Sequence, residues 1–297
     1  GISSIIYDVL SMVHAIFSGH KNFLVLGVSG AIFFPILRCF PKVQIITNID
    51  GIEWQRDKWK GFAKIFLKVS EYLAVKFSTT VISDNSAITS YIFEQYKCDC
   101  KTIAYGGDHA LSPAPSGGVV KKNITPSYSS YALSICRIEP ENNVHVILAA
   151  FSKIKLPIVF IGNWKKSSYG RELYSKYNDQ FNLTLLNPIY CLDTLYGYRA
   201  SCSVYVHGHS AGGTNPSLVE MMHFGKPIYA YNCSYNIATL ENQGQFFSNA
   251  EELGRLLKRG PKSDVNRGHE IKKIASKRYT WEVVRNEYFS LLSERNT

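Results

Sequence analysis

Short apolar runs of four or five residues, separated by longer stretches of mixed polarity, organise most of this chain. In the first hundred residues, Phe23-Leu24-Val25-Leu26, Val43 to Thr47, Thr79 to Ser83 and Thr102 to Tyr105 read as strands. Between them, Ile5 to Phe17 and Trp59 to Phe77 repeat apolar residues at helical spacing, and Ala31 to Phe40 reads as a helix broken at Pro35. A second series follows, with strands expected at Tyr131 to Ile135, Ile158 to Ile161, Leu183 to Leu186, Ser203 to Val206 and Ile228 to Tyr231. Val144 to Ile154 and Trp281 to Leu292 read as helices. Runs this short and this continuously apolar suit strands buried on both faces, so the pattern predicts two doubly wound parallel sheets. Ser112 to Gly118, rich in Pro, Gly and Ser, is the clearest linker. The expected organisation is a first domain over 1–111, a linker over 112–127, a second domain over 128–280 and a closing helix over 281–297. No repeat of solenoid period is present.

Composition narrows the class. A chain of 297 residues that is 45% hydrophobic and 13% aromatic has ample material for packed cores and is not a disordered segment. Its seven cysteines contain no Cys-x-x-Cys pair, which argues against a zinc ribbon or a redox motif and fits a reducing compartment. The sequons at Asn123, Asn182 and Asn232 would then carry no glycan. No signal peptide and no bilayer-spanning run is evident. The net charge of +10 suits nucleic acid, an anionic membrane or an anionic substrate. Trp54, Arg56, Lys58, Trp59, Lys60, Lys64 and Lys68 crowd cations and aromatics into one stretch, and Phe62, Phe66, Val69 and Leu73 recur on another side of the helix. That favours docking on an anionic membrane surface, with a cytoplasmic protein peripheral to the inner face. The plainer reading is a surface helix that packs Phe66 and Leu73 into the core. No module that reads RNA or DNA is recognisable, so nucleic acid is not an expected partner.

The chemistry concentrates in residues 204–231. A strand leads into Ala211-Gly212-Gly213-Thr214-Asn215, a loop with few side chains over its amides. Asn215 is a good N-cap, Pro216 suits the first helical turn, and Gly225 ends the helix ahead of Lys226-Pro227. A Gly-rich turn at a helix start receives anions, because free amides and the helix dipole both point outward there. Glu220, one turn in, can accept hydrogen bonds from hydroxyls beside that anion. A phosphate flanked by hydroxyls suggests a nucleotide-sugar. Upstream, Ala132 to Arg137 is an apolar run ending in a cation that can hold phosphate, or can pair with Glu139 or Glu141. His207 and His209 lack a third metal ligand by spacing, so no metal is expected and His209 is instead a candidate hydrogen-bonder to the donor. Asp50-Gly51 is either a site residue or an Asx-turn, and Asp84-Asn85 either a site or a helix cap. Gly106-Gly107-Asp108 reads equally as a plain turn or a site loop.

These motifs resemble retaining glycosyltransferases of the GT-B fold, glycosyltransferase family 4. Glu220, Gly225, Pro227 and Gly213 match its C-terminal signature, with Gly212 standing where the family has a first Glu. Arg137 matches a diphosphate-binding Arg, and Asn142 stands at the place of a Lys. In the tract IITNIDGIEWQRDKW, Asp50 occupies the place of a His near the sugar; with Ser83-Asp84-Asn85 and Ile103 to His109 this resembles the bacterial rhamnosyltransferase branch. The resemblance implies an α/β protein with two Rossmann-like parallel-sheet domains facing a cleft. The first domain would lack its opening strands, since the chain starts in a helix, and the closing helix would cross back to it. It implies a metal-independent hexosyltransferase, without cofactor, that moves a sugar such as rhamnose from a nucleotide diphosphate to a lipid-linked saccharide, with retention, in bacterial surface polysaccharide synthesis. Asp50 and Glu220 would be catalytic. Arg137, Asn142, His209, Gly212, Gly213, Thr214, Asn215 and Glu220 would bind the donor. The competing readings are a GT-B nucleotide-sugar epimerase and a non-catalytic sugar-nucleotide-binding scaffold.

Overall fold

The computed structural model describes residues 2–56, 59–112 and 130–293. The expected linker beyond Ser112 and the expected membrane contact Lys58 lie outside the described residues. The chain forms two compact units, Gly1–Ala104 with Ala211–Thr214, and Tyr105–Ser210 with Asn215–Thr297. Tyr105 to Leu111, read in sequence as part of the first domain, therefore pack with the second unit, as does the closing helix.

The first unit carries four parallel strands, β1 (Asn22–Leu26), β2 (Gln44–Ile49), β3 (Thr80–Ser83) and β4 (Cys100–Thr102), in the order β1-β2-β3-β4. Helices α1 (Ile2–Phe17), α2 (Phe34–Leu37), α3 (Phe62–Phe77) and α4 (Ser86–Tyr96) alternate with them. β4 ends where the apolar pattern placed its start, so Ile103 to Tyr105 are loop. Pro35 sits in the first turn of α2, where its missing N–H costs nothing, and a 3₁₀ turn over Ser29–Phe33 precedes it. α3 buries Leu67, Ser70, Glu71, Ala74 and Val75 and leaves Phe62, Ile65, Val69 and Tyr72 exposed. Its buried stripe is thus rotated from the one that apolar spacing predicts. That stripe joins Leu67, Ala74 and Val75 with Glu71, which accepts from three hydrogen-bond donors described below.

The second unit has six parallel strands, β5 (Ala132–Ile135), β6 (Ile158–Ile161), β7 (Leu183–Leu186), β8 (Val204–His207), β9 (Ile228–Tyr231) and β10 (Gln245–Phe247). Their spatial order is β10-β9-β8-β5-β6-β7. The chain begins at the centre, runs outward through β6 and β7, then returns to β8 on the other side of β5. Such a reversal opens a crevice at the carboxyl ends of the two central strands. Helices α5 (Val144–Phe151), α6 (Ser168–Tyr177), α7 (Leu192–Ser201), α8 (Pro216–Met222), α9 (Ser234–Thr239), α10 (Ala250–Arg259), α11 (Val265–Arg278) and α12 (Trp281–Ser293) complete the unit. Val144, Ile147, Leu148 and Phe151 of α5 pack against Ile158, Phe160, Val204 and Val206 of the sheet. Each fully buried aliphatic or aromatic side chain of this kind contributes about 1.5–3 kcal/mol. Among the described residues, no helix is long and apolar enough to cross a membrane.

Candidate functional site

In the second unit, the loops that leave β5 and β8 meet at the reversal of strand order. Asn143 Nδ2 donates to Gly208 O (2.9 Å), and Ser210 donates to Glu141 O through its amide (3.0 Å) and its hydroxyl (2.8 Å). A Cβ at Gly208 would lie 2.1 Å from Asn142 O, so only glycine permits this approach. Asn142, expected to face phosphate, is fully buried and donates its amide to Arg137 O (2.6 Å). It braces the loop that carries Arg137. The Arg137 side chain is 60% exposed and pairs loosely with Glu139 (3.7 Å), which leaves most of the guanidinium to solvent. Arg137, Gly162, Lys166, Pro188 and Tyr190 line a cavity of about 300 Å³ at the carboxyl ends of β5, β6 and β7.

At the end of β8, His207 is buried and its ring stacks on His209 (centroids 4.8 Å apart, 8° between planes). Burial, and then the neighbouring His209, holds His207 well below the usual imidazole range, so it is neutral. His209 is pinned by its backbone, its carbonyl accepting from Asn236 Nδ2 (2.8 Å). Among the described residues no group of three or more His, Cys, Asp or Glu side chains could hold a metal. Asn215 caps α8, its Oδ1 accepting from the Ser217 amide (3.0 Å) and hydroxyl (2.8 Å). Glu220 then projects from the second turn, with both carboxylate oxygens engaged. Oε2 meets Arg199 of α7, and Oε1 meets His109 Nε2 (3.1 Å). Arg199 and Trp281 were not anticipated from sequence. A lone Arg between Tyr198 and Ala200, and a Trp opening a late helix, carry no spacing signal that links them to Glu220.

The remaining candidates assemble in the first unit. Gly212 adopts φ +101°, a left-handed conformation, and Gly213 follows with no room for a side chain: its Cβ would fall 1.8 Å from Asp84 Oδ1. Thr214 is buried, its hydroxyl donating to Asp84 O and accepting from Asn85 Nδ2 (3.2 Å). Asn85 also caps α4 through the Ala87 amide (2.9 Å). Burial, and then the charge of Asp50, pushes the Asp84 carboxyl up to about 8, so it is largely protonated at neutral pH. Asp50 borders a cavity of about 600 Å³ whose walls include Leu26, Gly27, Trp59, Phe62 and Phe66.

The expected membrane contacts divide. Glu71 accepts from Trp54 Nε1 (3.3 Å), Tyr91 OH (2.7 Å) and Tyr96 OH (2.6 Å). Arg56 and the Trp59 Nε1 both engage Glu53, at 2.5 Å and 3.1 Å. The polar ends of Trp54, Arg56 and Trp59 are therefore turned into the unit. Lys60, Lys64 and Lys68 are exposed, and the ammonium groups of Lys64 and Lys68 lie over the Trp54 ring at 5.7 Å and 4.8 Å.

Residues 3–108 match a family described as a domain of unknown function (DUF1972), and residues 120–267 match the glycosyl transferases group 1 family. A search of curated protein sequences finds no match. Among solved structures, the chain is similar to Anabaena Alr3699/HepE in complex with UDP (TM-score 0.74, 17% identity, 95% of this chain and 82% of that one). It is similar to sucrose-phosphate synthase from Thermosynechococcus elongatus (TM-score 0.81, 15% identity, 97% and 77%). It is also similar to a UDP-forming α,α-trehalose-phosphate synthase from Burkholderia vietnamiensis (TM-score 0.72, 12% identity, 98% and 75%). At these identities the likeness carries the fold alone.

Proposed function

We propose that this chain, a GT-B glycosyltransferase by its fold and by the family of its residues 120–267, transfers a hexose from a nucleotide diphosphate to a lipid-linked saccharide, with retention. The observation that carries the reading is the reversal between β5 and β8, with an exposed Arg137 on one loop and Glu220 inside the helix that follows the other. Arg137 binds the diphosphate and stabilises the charge that develops as it leaves. Glu220 accepts hydroxyls of the donor. The acceptor hydroxyl attacks from the face the diphosphate departs, so the anomeric configuration is kept. Asp50, beside an aromatic-walled cavity, is the acceptor-side residue. Rhamnose is the sugar favoured by the resemblance of the Asp50 tract to its transferases. The fold likeness to Alr3699/HepE, solved with UDP and with UDP-glucose, supports a nucleotide-sugar donor. Exposed Phe62, Ile65 and Val69 on the lysine-bearing helix α3 support docking on an anionic membrane, where a lipid-linked acceptor resides.

A thermal-shift panel of UDP, GDP, dTDP and their sugars, run on the chain and on Glu220→Ala, tests the donor reading. One nucleotide should stabilise the chain selectively, with that gain lost in the variant. No shift with any nucleotide would overturn it.

A further inference from the structure

We infer that Arg199 and His109 are positioning residues for Glu220, holding its carboxylate where it can receive the hydroxyls of a bound nucleotide, and that Trp281 selects the His109 tautomer this requires. The inference rests on the reading of Glu220 as a donor contact.

Glu220 sits on a helix of only seven residues, and a Glu side chain left to itself samples many rotamers. Here it is 16% exposed and clasped from two directions. The Arg199 side chain is only 8% exposed, and an arginine taken that far from water needs an anionic partner. It finds Glu220 Oε2. On the other oxygen, the direction of each hydrogen bond can be assigned. Trp281 Nε1 can only donate, and it lies 3.0 Å from His109 Nδ1. Nδ1 is therefore an acceptor. In the neutral ring the proton then resides on Nε2, which donates to Glu220 Oε1 at 3.1 Å. Each carboxylate oxygen thus receives one donor. An ionised carboxylate has about four acceptor sites, so about one per oxygen stays open for a hydroxyl.

The chain invests backbone geometry in this arrangement. The Trp281 amide donates to Asp108 Oδ1 (2.8 Å), which fixes the start of α12. A Cβ at Gly106 would lie 2.6 Å from the Trp281 ring, and one at Gly107 would lie 2.6 Å from the Val219 carbonyl carbon. Two glycines are what let the segment before His109 lie directly on α8 and beneath Trp281. A surface ion pair would need none of this.

The test is calorimetric titration of the full chain with UDP, GDP and dTDP, each against its 2′,3′-dideoxy counterpart. The chain should prefer the hydroxyl-bearing form by roughly tenfold, the value of a hydrogen bond to a charged group. Arg199→Met should bind both forms with the dideoxy affinity of the parent chain, and Arg199→Lys should recover part of the preference. His109→Phe should lower the preference, and His109→Gln, which keeps a donor, should retain more of it. His109 is 48% exposed, so its variants carry the test if Arg199→Met does not fold. A preference unchanged in Arg199→Met and His109→Phe would overturn the inference, as would an equal loss of both forms, which marks a purely structural role. A parent chain that binds nucleotides without preferring hydroxyls would instead remove the reading of Glu220 on which the inference stands.

Discussion

Each unit draws a glutamate off its surface, and the two are held in different ways. Glu71 in the first unit is 1% exposed and accepts from three neutral groups, the Trp54 indole and the Tyr91 and Tyr96 hydroxyls. Glu220 in the second is 16% exposed and held by Arg199 and His109. All three donors of the first meet Oε1, and Oε2 is sealed from solvent without a partner, so no face is left for a ligand. The second is oriented by its partners yet remains open on one side, beside a sheet whose strand order reverses. The sheets differ in the same sense, since β1-β2-β3-β4 runs in sequence order with no reversal. Burial of a carboxylate alone therefore does not mark a site. What a ligand can still reach does.

The largest expected effect separates the units by pH. Asp84 in the first unit has its carboxyl raised from 3.8 to about 8. The unfolded chain gives up that proton first, so the stabilisation is complete below pH 4 and is lost as pH rises toward 8. At about 1.4 kcal/mol per pH unit, several kcal/mol are at stake over that window. Denaturant unfolding at pH 5 and pH 8 should show the fall, and Asp84→Asn should flatten it. Equal slopes in both proteins would contradict the assignment.

Next in size is Glu71→Ala, which strands three half-buried donors and should cost about 3 kcal/mol. Chemical denaturation followed by far-UV circular dichroism would measure it, while nucleotide affinity should change less than about twofold. A larger loss of binding than of stability would break the contrast between the two glutamates. Gly213→Ala drives a methyl into the Asp84 carboxyl and should cost about 2 kcal/mol in the same assay. Arg137→Ala should reverse the pattern, with a melting temperature close to that of the parent and roughly 10- to 100-fold weaker binding of nucleoside diphosphates by calorimetry. The smallest effect is expected for Lys68→Gln. Co-sedimentation with vesicles rich in phosphatidylserine should drop by roughly fivefold, at about 1 kcal/mol per lost cation. Unchanged sedimentation would remove the membrane reading.

Much of the architecture was legible before any coordinates. The buried runs of β2, β6, β8 and β9 read directly as strands, Asn215 caps α8 as its position ahead of Pro216 suggests, and Gly225 ends that helix region at φ +66°. These features depend on residues close in sequence. What escaped depends on partners far apart. β10 is three residues long, too short for any period to declare itself. The face that α3 buries joins Leu67, Ala74 and Val75 with Glu71, whose partners Tyr91 and Tyr96 lie 20 and 25 positions on. Arg199 reaches Glu220 across 21 positions, and Trp281 reaches His109 across 172. Asn142 illustrates the converse: its place in the resemblance pointed to phosphate, while the folded chain uses its amide to hold the Arg137 carbonyl.

The measurement that tests the central claim most directly is a crystal structure of the chain with the nucleoside diphosphate it binds best. The account predicts the diphosphate against Arg137, with ribose hydroxyls within hydrogen-bond distance of Glu220. A nucleotide bound away from the carboxyl ends of β5 and β8, or none at saturating concentration, would contradict it.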